Sequence, residues 1–80
     1  MVRQVPASVW EAYEQVFSKV KERLGRTEEF RAVLRCIERN DYRSAITILR
    51  LWSTCLLHEK LDEEARLVCR LYDLMAWIFC

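Results

Sequence analysis

The chain has 80 residues, of which 52% are apolar, and 13 basic against 12 acidic side chains leave a formal net charge of +1. This length allows one domain at most, so we expect a single domain over residues 1–80. The balanced charge argues against a general polyanion binder, although residues 19–50 alone carry a net charge of +4. No apolar stretch reaches the roughly 20 residues that a membrane span needs, so no membrane insertion is expected.

The first amphipathic segment predicts a helix over Ser8–Leu24. Ser8 and Glu11 have the spacing of a capping box, Pro6 offers an alternative start one turn earlier, and Gly25 is placed to end the helix in a left-handed conformation. Apolar residues at alternating steps of three and four predict one apolar stripe of an amphipathic helix. The residues of this stripe are Trp10, Tyr13, Phe17, Val20 and Leu24.

A second helix is predicted over Glu28–Arg39, with Thr27 as its N-cap and Asn40 as the residue that follows its end. The two glutamates of its first turn suit the positive end of the helix dipole. Its inward face is apolar and narrow, and is formed by Phe30, Val33, Leu34 and Ile37.

The third helix is expected to start after Asp41 and continue to about Glu59, and the fourth to start after Asp62 and run toward the C-terminus. Both are apolar around most of their circumference, which predicts helices contacted on two sides. Short connections predict antiparallel neighbours, and therefore a compact all-α bundle of four antiparallel helices.

The third and fourth helices carry more apolar side chains than a lone small bundle needs. A chain this short has a marginal core, so we expect self-association, with a dimer favoured over a well-filled monomer. Trp77 is the strongest anchor, because it lies in line with the polar stripe of the fourth helix. The predicted interface comprises Ile48, Leu51, Leu71, Leu74, Met75, Trp77 and Ile78.

A second candidate surface consists of arginines on the second and third helices. These are Arg31, Arg35, Arg39, Arg43 and Arg50. If the two polar faces merge, their guanidinium groups suit the phosphates of duplex RNA or DNA, or the carboxylates of an acidic protein partner. The alternative is a solvated face in which these arginines pair locally with Glu28, Glu38 and Asp41.

The segment Asn40–Ile46 resembles the turn of a tetratricopeptide-type helical hairpin. A small turn residue is followed by Asp41 and Tyr42, with Ala45 at the third position after the tyrosine, and Leu49 fits a later apolar position. The resemblance covers one hairpin and implies a peptide- or protein-binding scaffold without catalysis. A small residue at the crossing and an aspartate cap are also what any well-packed helical hairpin requires.

Catalytic and metal chemistry lack a recognisable constellation. The four cysteines, at positions 36, 55, 69 and 80, have no CxxC spacing, and we expect buried free thiols in a reducing, cytoplasmic setting. His58 with Cys55 supplies only half of a metal site. We therefore expect no enzymatic activity, no cofactor and no metal.

Overall fold

The computed structural model describes residues 4–79, which form four α-helices and, within that range, no strand. The helices are α1 (Ala7–Leu24), α2 (Glu28–Glu38), α3 (Tyr42–His58) and α4 (Asp62–Phe79). The prediction of an all-helical protein with four helices is confirmed. Cys80, the last of the four predicted thiols, lies outside the described residues.

Two predicted N-caps are confirmed. The Thr27 hydroxyl accepts a hydrogen bond from the Phe30 amide at 3.3 Å, and the Asp41 carboxylate accepts one from the Ser44 amide at 3.2 Å. Asn40 has φ 59°, the left-handed conformation predicted for the residue that follows α2. The left-handed Asn40 and the Asp41 cap explain how α2 and α3 are separated by only three residues.

The start of α1 differs from its prediction. Ser8 already lies inside the helix, which begins at Ala7, and the preceding Pro6 makes no side-chain cap. The Pro6 carbonyl instead accepts a hydrogen bond from the Val9 amide at 3.0 Å. The predicted capping box is wrong because Pro6, with its fixed φ, starts the helix two residues before Ser8, in the direction of the alternative start.

Two other helix boundaries are also corrected. Gly25 has φ −65°, so it is right-handed, and it is needed because a Cβ there would collide with the Lys21 carbonyl oxygen. Asp62 is the first residue of α4 rather than its cap. Lys60, at φ 62°, takes the left-handed position after α3.

The two most apolar helices form the centre of the bundle. α3 packs against both α2 and α4, and α4 packs against both α3 and α1, which confirms the prediction that α3 is contacted on two sides. Leu49 on α3 and Leu71 and Met75 on α4 have no solvent exposure. Many of the apolar side chains that made α3 and α4 look too apolar for a lone bundle are therefore buried in the chain's own core.

An aromatic cluster joins three helices at one end of the bundle. Phe79 stacks on Tyr42 with ring centroids 3.9 Å apart, and its edges meet Trp10 and Tyr13 at 6.0 Å each. Of the apolar stripe predicted for α1, Val20 is fully buried, Tyr13, Phe17 and Leu24 are partly buried, and Trp10 is 41% exposed. The buried residues of α1 are Val9, Val16 and Val20.

Candidate interaction surfaces

The predicted interface residues occupy three different environments. Leu71 and Met75 are fully buried in the core and are not available to a partner in this fold. Three others, Ile48, Leu74 and Ile78, are partly buried. Leu51 and Trp77 are exposed, at 62% and 49%. A partner surface drawn from the predicted set therefore excludes its two most buried members.

Leu51 and Trp77 lie on different sides of the bundle. Tyr42 stacks on Phe79, so the edge of α3 that carries Tyr42 faces α4. Ile48 and Leu51 are rotated well away from that edge by the helical repeat. Arg70 of α4 borders α1, because it lines a groove shared with Lys19 of α1. Trp77 follows Arg70 by seven residues, about two helical turns, and so lies on the same side of α4. One flat partner surface cannot cover both exposed side chains.

Three apolar side chains on the outward side of α3 form a short strip. Ile48, Leu51 and Cys55 follow at i, i+3 and i+7, which aligns them along one face of the helix. Leu51 is the most exposed large apolar side chain within residues 4–79. We call these three residues the α3 strip.

The thiols are more accessible than predicted. Cys55 and Cys69 are exposed, and Cys36 is partly buried and packs against the core. All three are free. The prediction of buried thiols is wrong for Cys55 and Cys69, because each lies on the outward side of its helix.

All five arginines of the second candidate surface are exposed. In the described part of the chain, the one ion pair joins Arg23 to Glu63 at 3.2 Å, and neither belongs to the predicted local pairs. The arginines on α2 and α3 are therefore solvated without a carboxylate in ion-pair contact among those residues. Their charges are accessible to a partner.

The arginines of α2 lie on its outward side. Phe30 meets Phe17 of α1 with ring centroids 5.6 Å apart, which identifies the edge of α2 that faces α1. Arg31 and Arg35 follow Phe30 by one and five positions, about 100° and 140° around the helix, so they lie away from that edge and are exposed.

The arginines of α3 lie between its α4 edge and its outward side. Arg43 and Arg50 follow Tyr42 by one and eight positions, which places them about a quarter of a turn from the edge of α3 that faces α4. The α3 strip lies further round the same helix.

Arg39 and Arg43 lie on either side of Asp41 in the turn between α2 and α3. The pKa of Asp41 is lowered chiefly by hydrogen bonds from the side chain and backbone of Ser44, and further by the charges of Arg39 and Arg43. The turn therefore brings one arginine from each end of the two helices near the same carboxylate.

A groove between α1 and α4 was not predicted. It has a volume of about 460 Å³, and an adjoining cavity of about 360 Å³ extends it along the same pair of helices. The walls of the larger part are formed by Lys19, Glu22, Arg23, Glu63, Arg66, Leu67 and Arg70. The sequence contains basic residues four positions apart on both helices, but it does not show that α1 and α4 pack side by side.

The described residues contain neither a metal-binding cluster nor a membrane-spanning helix. Within residues 4–79, no three His, Cys, Asp or Glu side chains cluster closely enough to hold a metal ion. His58 is exposed near the end of α3. None of the helices in this range is both long and apolar enough to cross a bilayer.

The comparisons with known proteins identify no relative. Neither a protein-family model, nor a curated protein, nor a solved structure matches this chain. Function must therefore be argued from the surfaces themselves.

Proposed function

We propose that this chain is a non-enzymatic helical interaction module that self-associates as a two-fold symmetric dimer through the α3 strip. The observation that carries the proposal is the 62% exposure of Leu51 beside a partly exposed Ile48. Removing such side chains from water is the main driving force for association. An isologous interface uses the same surface patch on both copies, so one apolar strip suffices.

Neighbouring helices of this module run antiparallel. In support, the last turn of α1 meets the first turn of α4 through Arg23 and Glu63, whereas Trp10 near the start of α1 meets Phe79 at the end of α4. A pair of helices with such contacts at its two ends has opposite directions. The short turn from α2 to α3 favours the same arrangement for that pair.

A second copy of the chain suits the α3 strip, because the charges near the strip are negative at one end and positive at the other. The start of α2 carries Glu28 and Glu29, and the turn at its other end carries Arg39 and Arg43 around Asp41. A two-fold axis near Leu51 reverses one copy against the other. The basic end of each chain then meets the acidic end of its partner, which favours this register.

A charge exchange tests this arrangement directly. The acidic variant carries Arg39→Glu and Arg43→Glu, and the basic variant carries Glu28→Lys and Glu29→Lys. In sedimentation equilibrium, each variant alone is expected to be weakened in self-association, because like charges meet at both ends. An equimolar mixture is expected to form a heterodimer, since both ends then attract.

Circular dichroism of each variant serves as the control for helix content. Absence of the heterodimer, while both variants remain folded, contradicts the proposed register. A wild-type chain that stays monomeric throughout the micromolar range contradicts the dimer itself.

Nucleic-acid binding is the second candidate function, and the exposure of all five arginines favours it. Phosphate contacts by guanidinium groups make binding strongly dependent on salt. Fluorescence polarisation with duplex RNA and duplex DNA at low and moderate salt tests this candidate. Affinity that falls with added salt and with Arg39→Glu supports it, whereas no binding at low salt eliminates it.

A protein-binding scaffold is also what the helical-hairpin resemblance around Asn40–Ile46 implies, and the fully buried Ala45 fits the close crossing of α2 and α3. We further place this module in a reducing, cytoplasmic setting, for which the three free thiols of the described chain argue. Mass spectrometry of the protein after aerobic and reducing purification tests whether those thiols remain free.

A further inference from the structure

The groove between α1 and α4 joins opposite charges across two helices. Arg23 of α1 and Glu63 of α4 form the ion pair at 3.2 Å that bridges it. With these two charges satisfied, three further cations, Lys19, Arg66 and Arg70, remain against the single carboxylate of Glu22. The groove beside the bridge therefore has an excess of positive charge.

The floor of the groove is apolar. Leu67 lines both parts of it, and Ala12 and Val16 line the extension toward the start of α1. Leu67 packs against the core, so its position is held from beneath. A ligand here meets a few apolar side chains in the middle and mostly cations at the rim.

We propose that this groove binds an acidic segment of a partner protein in extended conformation. Arg66 and Arg70 are one helical turn apart, about 6 Å along the axis. Alternate side chains of an extended strand project on one side about 6.7 Å apart. Two glutamates at alternate positions thus match the two guanidinium groups, each of which binds a carboxylate through paired hydrogen bonds.

A nucleic acid fits this groove less well than a peptide. A continuous phosphate backbone would lie against the carboxylates of Glu22 and Glu63, which line the same walls. It would also leave Leu67 without an apolar partner. A peptide with alternating acidic and apolar residues supplies both kinds of group, because successive side chains project to opposite sides, the acidic ones toward the arginines of α4 and the apolar ones toward Ala12 and Val16 of α1.

The test uses a short fluorescein-labelled peptide of alternating glutamate and leucine, with a matched lysine–leucine peptide as a charge control. Arg70→Glu reverses a charge in both parts of the groove, and Arg50→Glu makes the same change on the exposed face of α3. We expect Arg70→Glu to weaken peptide binding at least about tenfold, the equivalent of 1.4 kcal/mol, and Arg50→Glu to leave it within twofold.

Amide shifts in nuclear magnetic resonance spectra locate the bound peptide. Shifts concentrated at Gln15, Lys19 and Leu67 support the groove. Equal losses in the two arginine variants overturn the proposal in favour of general electrostatic attraction, as does tighter binding of a duplex RNA of equal charge at the same residues. Absence of peptide binding overturns it outright.

This inference is independent of the proposed dimer. Leu51→Ala removes part of the α3 strip, which lies away from the groove, and is expected to leave peptide affinity unchanged. A variant that loses self-association but keeps peptide binding, or the reverse, therefore shows which of the two proposals has failed.

Discussion

Truncation of Leu51 to alanine is the most direct perturbation of the proposed dimer. The side chain is 62% exposed in the single chain, so its removal creates no cavity in the core. Alanine is also a better helix former than leucine, which keeps α3 intact. Any loss of association therefore reports the interface rather than the fold of the monomer.

The size of the effect follows from the exposed fraction. Complete burial of a leucine side chain contributes about 1.5–3 kcal/mol, and 62% of that area remains to be buried by a partner, which is about 1–2 kcal/mol for each copy. A symmetric dimer contains the residue twice. After allowing for the Cβ that alanine keeps, we expect a loss of about 1.5–3 kcal/mol, or about 10- to 100-fold in Kd.

Sedimentation equilibrium over a concentration series measures this Kd. Leu57→Ala is the matched control, because Leu57 is 57% exposed on the same helix but is rotated away from the α3 strip toward the α4 side. Leu57→Ala is expected to leave the Kd within about twofold of the wild-type value. This is well below a tenfold change, which corresponds to about 1.4 kcal/mol. If Leu51→Ala leaves the Kd unchanged, or both variants weaken it equally, the strip is not the interface.

Two further predictions concern the aromatic end of the bundle. Phe79→Ala removes ring contacts with Trp10, Tyr13 and Tyr42, each of which contributes about 0.5–1.5 kcal/mol. Urea denaturation should therefore show that the free energy of unfolding falls by about 2–4 kcal/mol. A decrease below about 1 kcal/mol contradicts a stabilising cluster. The pKa of Tyr13 is raised, first by burial and then by Tyr42 and Glu14. The neutral Tyr13 therefore stabilises the fold at a pH below the ordinary pKa of tyrosine, and this stabilisation is lost as the pH rises through the pKa of Tyr13 in the folded state. Tyr13→Phe should therefore lose less stability than wild type on transfer to strongly alkaline buffer, and equal losses would exclude this residue as the cause.

The helix boundaries were largely predictable because each depends on a few neighbouring residues. Thr27 and Asp41 cap their helices through side-chain oxygens that reach an amide three residues on, a local contact that needs no tertiary structure. The errors at Ser8 and Gly25 arose where two local rules competed. Pro6 started α1 before Ser8 could cap it, and Gly25 is required by the nearby Lys21 carbonyl rather than by a left-handed backbone.

The division of apolar residues between core and surface was not predictable to the same degree. The sequence shows that α3 and α4 are apolar on more than one side, but a second apolar side serves equally well against another helix of the chain or against a partner. The structure packs both helices between two neighbours, so Leu71 and Met75 became core residues. Leu51 is exposed because it lies on the side of α3 opposite the edges that α2 and α4 cover.

The arginine faces and the groove show the same dependence on helix rotation. Phe30 and Tyr42 fix which edge of α2 faces α1 and which edge of α3 faces α4, and these rotations leave the central arginines exposed. The pairing of α1 with α4 brings Lys19 beside Arg70, although 50 residues separate them in the chain. Core packing thus decides which charges share a surface, and in this fold it assembles a net positive groove on α1 and α4, outside the central arginines that sequence alone favours.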